Sequence, residues 1–327
     1  MPVSLKFLLD SIAWGSAIGL MSMGLTLTYL TTRVPNFAHA TVGLVSSVIV
    51  VWLLDRFYLA RGGVDPSFYV VSIVLSFIFV GLVSAAIYLG VLKPLADRGN
   101  DVINLMIATF AVDIILFSLL FAVLNVFPTH NLERALDAQV SGYEPRITIP
   151  GGYRVAASTI VFPVTAVVLA LLFHIFLTKT KFGVAMRATI ENPNLAETLG
   201  VNTKLVYLAS WFISGGLAGI AGVAITMILS ANPKYSALII VSVFAGSIVG
   251  GLSGVYWGLL GGFLVGFSEK MVTKLASEIT GLELTNYERM VSLILVIIVL
   301  LFAPQGLAGV DWGRLKARIL GGGRGGD

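Results

Sequence analysis

The chain reads as an all-α protein whose helices, about eight or nine of them, cross a membrane. Three observations carry this. Hydrophobic residues make up 57% and charged residues 12% of the 327 positions, whereas a soluble globular domain is roughly 25% charged. Runs free of Asp, Glu, Lys and Arg recur along the whole length, with no Pro/Ser-rich or charged linker between two halves. The mean hydropathy is +0.94. One fused membrane domain is expected over 1–310, followed by a basic tail over 311–327.

A hydrocarbon core about 30 Å thick takes roughly 20 apolar residues per helix. On that measure the first span lies in 11–32, the second in 34–54 and the third in 67–92. The fourth is 102–126, broken only by Asp113, and the fifth and sixth are 155–178 and 205–231. The charge-free run 235–268 is too long for one ordinary span, and GGLSG at 250–254 predicts a helix, a tight turn and a second helix. The last span is 290–303, closed by APQG at 303–306. The first run is too long for a signal-peptide core and has no small-residue cleavage site beyond it, so it is expected to stay on the protein.

If the spans alternate, the loops near 33, 93–101 and 179–204 share a side with the tail, and that side holds 11 Lys/Arg against 10 on the other. The positive-inside count is nearly a tie. The basic tail directly after a span places that side in the cytoplasm, with the N-terminus and the long loop 125–154 outside.

The formal charge of +4 and the pI near 9.3 suit lipid headgroups better than nucleic acid, because the basic residues fall in loops. No cysteine is present, which excludes disulfides, thiolate metal sites and cysteine catalysis. No segment fits GxxxxGK[ST], so no phosphate-cradling loop is expected in this chain. His39, His130 and His174 are far apart and near no paired acids, which gives a metal site or a membrane enzyme little support. His174 reads as an interfacial or hydrogen-bonded histidine.

In TRVPNFAHATVG at 32–43, Pro35 removes a backbone donor and pushes Val34 towards an extended conformation. Irregular backbone at membrane depth persists only where protein or water satisfies it. Two readings stand: a gate or pathway element carrying Asn36, Phe37 and His39, and a plain connection at the headgroups. Asp113, inside a span, carries an insertion penalty of about 2.5–3.5 kcal/mol and must face the bundle interior, a wet cavity or a partner. It is either a hydrogen-bonded structural acid or part of a pathway.

Glycines mark packing faces. In GGLAGIAG, Gly215 and Gly219 are four apart, as are Ala218 and Gly222, which predicts a face of small residues. A second ladder runs Gly246, Gly250, Gly254, Gly258, Gly262 and Gly266, with Gly251 in the turn. Close packing of the bundle is one reading, and faces that slide around a pathway are the other.

The loop 179–204 is the most structured connection. FGVAMRATI forms two helical turns, then Asn192 caps a new helix with Pro193 at its first position and Gly200 just past its end. A docking element is the first reading, and an amphipathic helix on the headgroups the second.

Taken in order, NFAHA at 36–40, FGVAMRA at 182–188, Glu191, Ala196, LGVN at 199–202, LAGIAG at 217–222, GSIVGGLSGVYWGLLGGFLVGFSE at 246–269 and LLFAPQGLAG at 300–309 resemble one family. It is the branched-chain amino acid (Liv-type) permeases of ATP-binding-cassette (ABC) importers, and specifically the smaller of their two membrane subunits. The resemblance covers nearly the whole chain. It implies a type II importer fold in the plasma or inner membrane, a second permease as heterodimer partner, two cytoplasmic ATPases that hold ATP and Mg, and an external substrate-binding protein. No cofactor is then expected in this chain, and no nucleic-acid partner. It also implies that the loop couples to the ATPases through Gly183, Arg187, Ala188, Glu191, Asn192, Pro193, Ala196, Leu199 and Gly200, with the small Ala196 pressed into the ATPase.

The chain departs from the family at Ala40, usually glycine, and at Asp113, where relatives tend to carry a small polar residue. Relatives of similar appearance handle other amino acids, urea and short amides, so the substrate stays open between these. An ion-coupled secondary transporter is the competing function, disfavoured because the spans hold little ionisable beyond Asp113. A non-transport membrane scaffold is the third class.

Overall fold

The computed structural model describes residues 5–309 except 128, 130, 131, 133, 134, 137, 150 and 151. His130 and the tail 311–327 therefore lie outside the described residues. The helices are α1 Leu5–Thr32, α2 His39–Arg61, α3 Pro66–Asp97, α4 Val102–Val126 and α5 Ser158–Lys179. Two short helices follow, α6 Lys181–Glu191 and α7 Pro193–Thr198. Then come α8 Thr203–Ile228, α9 Tyr235–Gly250, α10 Val255–Thr280 and α11 Glu288–Phe302.

Seven helical runs among the described residues are long and apolar enough to cross a membrane: α1 to α5, α8, and Glu288–Gly309, which α11 opens. This is a multi-pass α-helical membrane protein. The run 235–268 is two helices, α9 and α10, and Gly251 makes the turn between them at φ +104°. At 16 residues α9 is short for a span, and α10 carries Glu269, Lys270, Lys274 and Glu278 along its length. With these two, nine long helices pack in the bundle among the described residues.

Local chemistry sets several boundaries. The Asp65 carboxylate accepts from Ser67 N at 2.8 Å and Phe68 N at 3.2 Å, and Pro66 occupies the first turn of α3. Asp101 caps α4 by accepting from Asn104 N at 3.0 Å. The second span starts at His39, later than the expected 34, because Pro35 keeps 33–36 out of the helix, and it runs on to Arg61. Its late part tolerates Asp55 because that carboxylate is buried and accepts from Leu132 N at 3.1 Å.

The loop before α5 holds an antiparallel hairpin that hydrophobic periodicity had not shown. Strand β1 (Arg146–Thr148) pairs with β2 (Arg154–Ala156) around a turn containing Gly152 at φ +77°.

At the centre, α1 packs along α8 and α10, and α8 packs along α3. Glycine permits this. A Cβ on Gly262 would lie 2.8 Å from Gly19 Cα, and one on Gly222 would lie 2.1 Å from the Gly43 carbonyl oxygen.

The connections sort into two ends. At one, the start of the irregular segment meets the end of α3 in a small cavity lined by Thr32, Val34, Leu92, Ala96 and Tyr207. His174 near the end of α5 lies 5.6 Å from Tyr256 at the start of α10. A Cβ on Gly251 would lie 2.3 Å from Gln305 O, so the α9–α10 turn and the end of α11 share that end. At the other, Val64 N donates to Tyr143 O at 3.2 Å, Tyr69 Oη donates to Glu144 at 2.9 Å, and Lys270 reaches Glu288 at 2.8 Å.

Candidate functional site

Between α1 and α2 the backbone breaks as Pro35 requires. Arg33 adopts φ +59°, uncommon for a non-glycine residue, and ends α1. Asn36 is buried, and its Oδ1 accepts from Ala38 N at 3.1 Å, closing the turn. Thr109 on α4 holds the turn from outside: its hydroxyl accepts from Phe37 N at 3.2 Å. The Phe37 ring is half-buried, 5.1 Å from Phe244 on α9 and 6.4 Å edge-on from Phe110 on α4.

One turn further along α4, Asp113 accepts from Thr41 Oγ1 of α2. Thr109 and Asp113, four residues apart, present one face of α4 to the irregular segment and to the first turn of α2. Sequence reasoning missed Thr109, although the i, i+4 spacing to Asp113 was there to read.

His39 needs a correction. It was grouped with Asn36, Phe37 and Asp113 as a pathway or gate residue, but it is 1% exposed and its Nε2 is 3.0 Å from Met21 O. A Cβ on Gly24 would come within 3.1 Å of the ring. The imidazole is a tie between α2 and α1 and faces protein on every side. Asn36 is likewise turned inward, so Phe37 and Asp113 are the partly accessible members of that set.

The connection from α5 to α8 is capped at each turn. Thr180 Oγ1 accepts from Gly183 N at 3.0 Å to start α6. Asn192 Oδ1 accepts from Leu195 N at 3.1 Å to start α7, with Pro193 at its first position. Gly200 ends α7 at φ +84°, and Val201 N donates back to Ala196 O at 3.0 Å. Gly183 fits where a side chain cannot, since its Cβ would sit 2.1 Å from Phe176 O. Arg187, Glu191, Asn192, Pro193, Leu199 and Gly200 are exposed and Ala188 is half-buried.

Ala196 also needs correcting. Expected to press into a partner, it is 1% exposed inside this chain, because the helical period turns it towards the protein. Leu195 and Leu199, four apart, point outward instead at 57% and 75% exposure.

The GGLAGIAG stretch does not form a single face. Gly215 and Gly219 abut Ser84 and Ser76 of α3, while Gly222 and Ala218 abut Gly43 of α2. Gly258 and Gly262 meet Thr26 and Ser22 of α1, and Gly250 meets the Trp257 backbone. Gly254 caps α10 in extended conformation and so belongs to the turn, outside the packed face.

A buried charge network lies outside every expected site. Glu269 on α10 is 0% exposed and accepts from Trp14 Nε1 at 2.9 Å, from Arg289 at 2.5 Å, and from Ser242 and Ser292. Lys270 and Arg289 lie 5.1 and 5.3 Å from the Trp14 ring centroid. The signal in the sequence was an acid ending one apolar run and an arginine opening the next. Among the described residues no group of three or more His, Cys, Asp or Glu could hold a metal ion.

Residues 7–300 match the family described as the branched-chain amino acid transport system permease component. The chain is 37% identical over 321 residues to a probable branched-chain amino acid transport permease protein LivH of Methanocaldococcus jannaschii, covering 95% of each chain. It is 25% identical to the high-affinity branched-chain amino acid permease BraD of Pseudomonas aeruginosa, covering 93% of this chain and 95% of that one. The same identity and coverage relate it to LivH of Escherichia coli K12. No solved structure matches the chain.

Proposed function

The chain belongs to the family of branched-chain amino acid transport permeases, and from that premise we propose that it carries branched-chain or related hydrophobic amino acids inward as one half of a two-permease core. In this reading two separate ATPases bind ATP and Mg, an external binding protein delivers substrate, and this chain does no covalent chemistry. The α6–α7 end of the bundle faces the cytoplasm of a plasma or inner membrane, and the N-terminus lies outside.

One observation carries the reading: the α6–α7 connection is a rigid, doubly capped pair of helices that holds Leu195 and Leu199 outward. Exposed leucines on a rigid element suit a protein cleft, and the caps let a push on α7 reach α8 through Gly200 and the Thr203–Glu197 hydrogen bond. Phe37 and Asp113 are the proposed pathway residues, since they remain partly accessible beside the break that Pro35 makes.

Affinity purification from native membranes should bring two ATPase chains and a second permease with this one. Leu195→Asp with Leu199→Asp should leave the protein in the membrane, release the ATPases and abolish uptake. Uptake by the purified single chain, driven by an ion gradient, would overturn the proposal.

A further inference from the structure

A cavity of about 410 Å³ opens among the start of α1, the β1–β2 hairpin, the first turn of α5, the end of α8 and Lys270 of α10. That volume falls in the roughly 300–1,000 Å³ range of small-molecule sites. Its lining is of three kinds. One wall is cationic. Arg146 and Arg154 stand on one face of the hairpin, since Arg146 pairs with Ala156 and Arg154 with Thr148, and Lys6 adds a third cation from α1. Among the described residues Arg154 forms no ion pair, Arg146 feels the buried Glu144 and Lys6 feels Asp10 only electrostatically, without an ion pair within 4 Å, whereas Lys270 is bound to Glu288 at 2.8 and 2.9 Å.

Opposite charge is present once. Asp10 lines the same cavity and accepts from Thr159 Oγ1 at 3.2 Å. The third wall is apolar, made by Trp14 and Ile228 with their neighbours, and Trp14 is pinned from behind by the Glu269 carboxylate. Two arginines on diagonal positions of a strand pair repel each other when nothing lies between them. A small anion-bearing guest relieves that repulsion, and the lone acid and the apolar wall narrow what the guest can be.

We infer that this cavity receives a free aliphatic amino acid as a zwitterion, with its carboxylate against Lys6, Arg146 and Arg154, its ammonium group at Asp10, and its side chain on Trp14 and Ile228. The inference rests on the proposed substrate class and gives that substrate a site on the permease itself. A zwitterion pairs with the two arginines and with Asp10 at once, whereas an amine or a carboxylic acid pairs with only one of these.

The test uses the absence of cysteine in this chain. Ser141 lines the cavity, so Ser141→Cys gives this chain its one thiol, whose alkylation by an impermeant maleimide added from outside the assembled importer is read on this chain alone. Leucine should slow alkylation, while 4-methylpentanoate and 3-methylbutylamine should protect poorly at equal concentration. Arg146→Gln with Arg154→Gln should raise the half-protecting leucine concentration roughly tenfold or more, as loss of a charge-assisted contact implies. Asp10→Asn should let 4-methylpentanoate protect about as well as leucine, a reversal of preference that a structural defect does not produce.

An importer that transports leucine but shows no protection by it overturns the site. Equal protection by acetate or phosphate would reduce it to an unselective anion site, and protection only by the external binding protein would make it a docking surface. Both results reject the inference. An assembly that imports no branched-chain amino acid, yet is protected by another zwitterion, would keep the cavity and overturn the substrate class instead.

Discussion

Helix α8 and helix α11 invert the rule for soluble proteins. The best 18-residue window of α8 is 83% buried, and that of Glu288–Gly309 is 11% buried, yet the second is the more apolar of the two. The same inversion separates α1, 78% buried, from α4, 17% buried. In lipid, apolarity does not drive a helix inward, since hydrocarbon outside is as apolar as leucine inside. What drives it inward is close approach of backbones and polar groups that need partners. Hence α1 and α8 carry the glycines, serines and threonines, while α4 and α11 show Ile107, Ile115, Leu301 and Phe302 to the surroundings.

The largest expected effect follows from the tightest contact. Gly222→Val should lose nearly all folded protein, a penalty above about 4 kcal/mol, because its Cβ would meet backbone 2.1 Å away at Gly43 O and no rotamer relieves that. Ile115→Ala, on the 66%-exposed face of α4, should stay within about 0.5 kcal/mol. Thermal unfolding in one detergent compares them, and equal losses would break the inversion.

Next is a buried charge pair that ties the first turn of α11 to α10. Arg289→Leu should cost about 3–5 kcal/mol by leaving Glu269 without its counter-ion. Adding Glu269→Gln should recover part of this, because Ser242, Ser292 and Trp14 can still bond an amide. A double variant no better than the single would show that the network acts by shape alone.

At the border of the two classes, Asp113→Asn should keep the Thr41 contact and most uptake. Asp113→Leu should lose about 1–3 kcal/mol and more uptake by leaving Thr41 unpaired. Full uptake in the leucine variant would move α4 wholly to the lipid-facing class and remove Asp113 from the proposed pathway.

The smallest effect belongs to the loop outside the spans. Burial holds the Glu144 carboxyl above the ordinary glutamate range, outweighing its bonds to Ser158 and Tyr69 and the charge of Arg146. A raised acid binds more protons folded than unfolded, so its contribution is full below the unfolded value and fades as pH rises through the folded one. Thermal stability should therefore rise slightly on going from neutral to mildly acidic pH, and Glu144→Gln should flatten that slope. An unchanged slope would assign it to other groups.

Much of the fold was legible. The limits of α4, the division of 235–268 at Gly251, the break at Pro35 and the caps at Asn192 and Gly200 each follow from one residue's backbone chemistry. The hairpin 146–156 was not legible, because two three-residue strands give too few positions for an alternating pattern. The inward turn of Ala196 and His39 was hidden for another reason: periodicity groups residues on a face and does not say which neighbour that face meets.

By itself the sequence determined that the chain lives in lipid, where its helices begin and end, and the family to which it belongs, since these depend on local hydropathy, capping and residue order. Only the tertiary structure decided that Glu269 of α10 meets Arg289 and Trp14, that Gly215 and Gly222 serve different neighbours, and that Lys6, Asp10, Arg146 and Arg154 share one cavity. The reason is physical. In a bilayer every helix satisfies its own backbone, so the chain's local chemistry fixes each helix but leaves their arrangement to contacts between residues far apart in sequence.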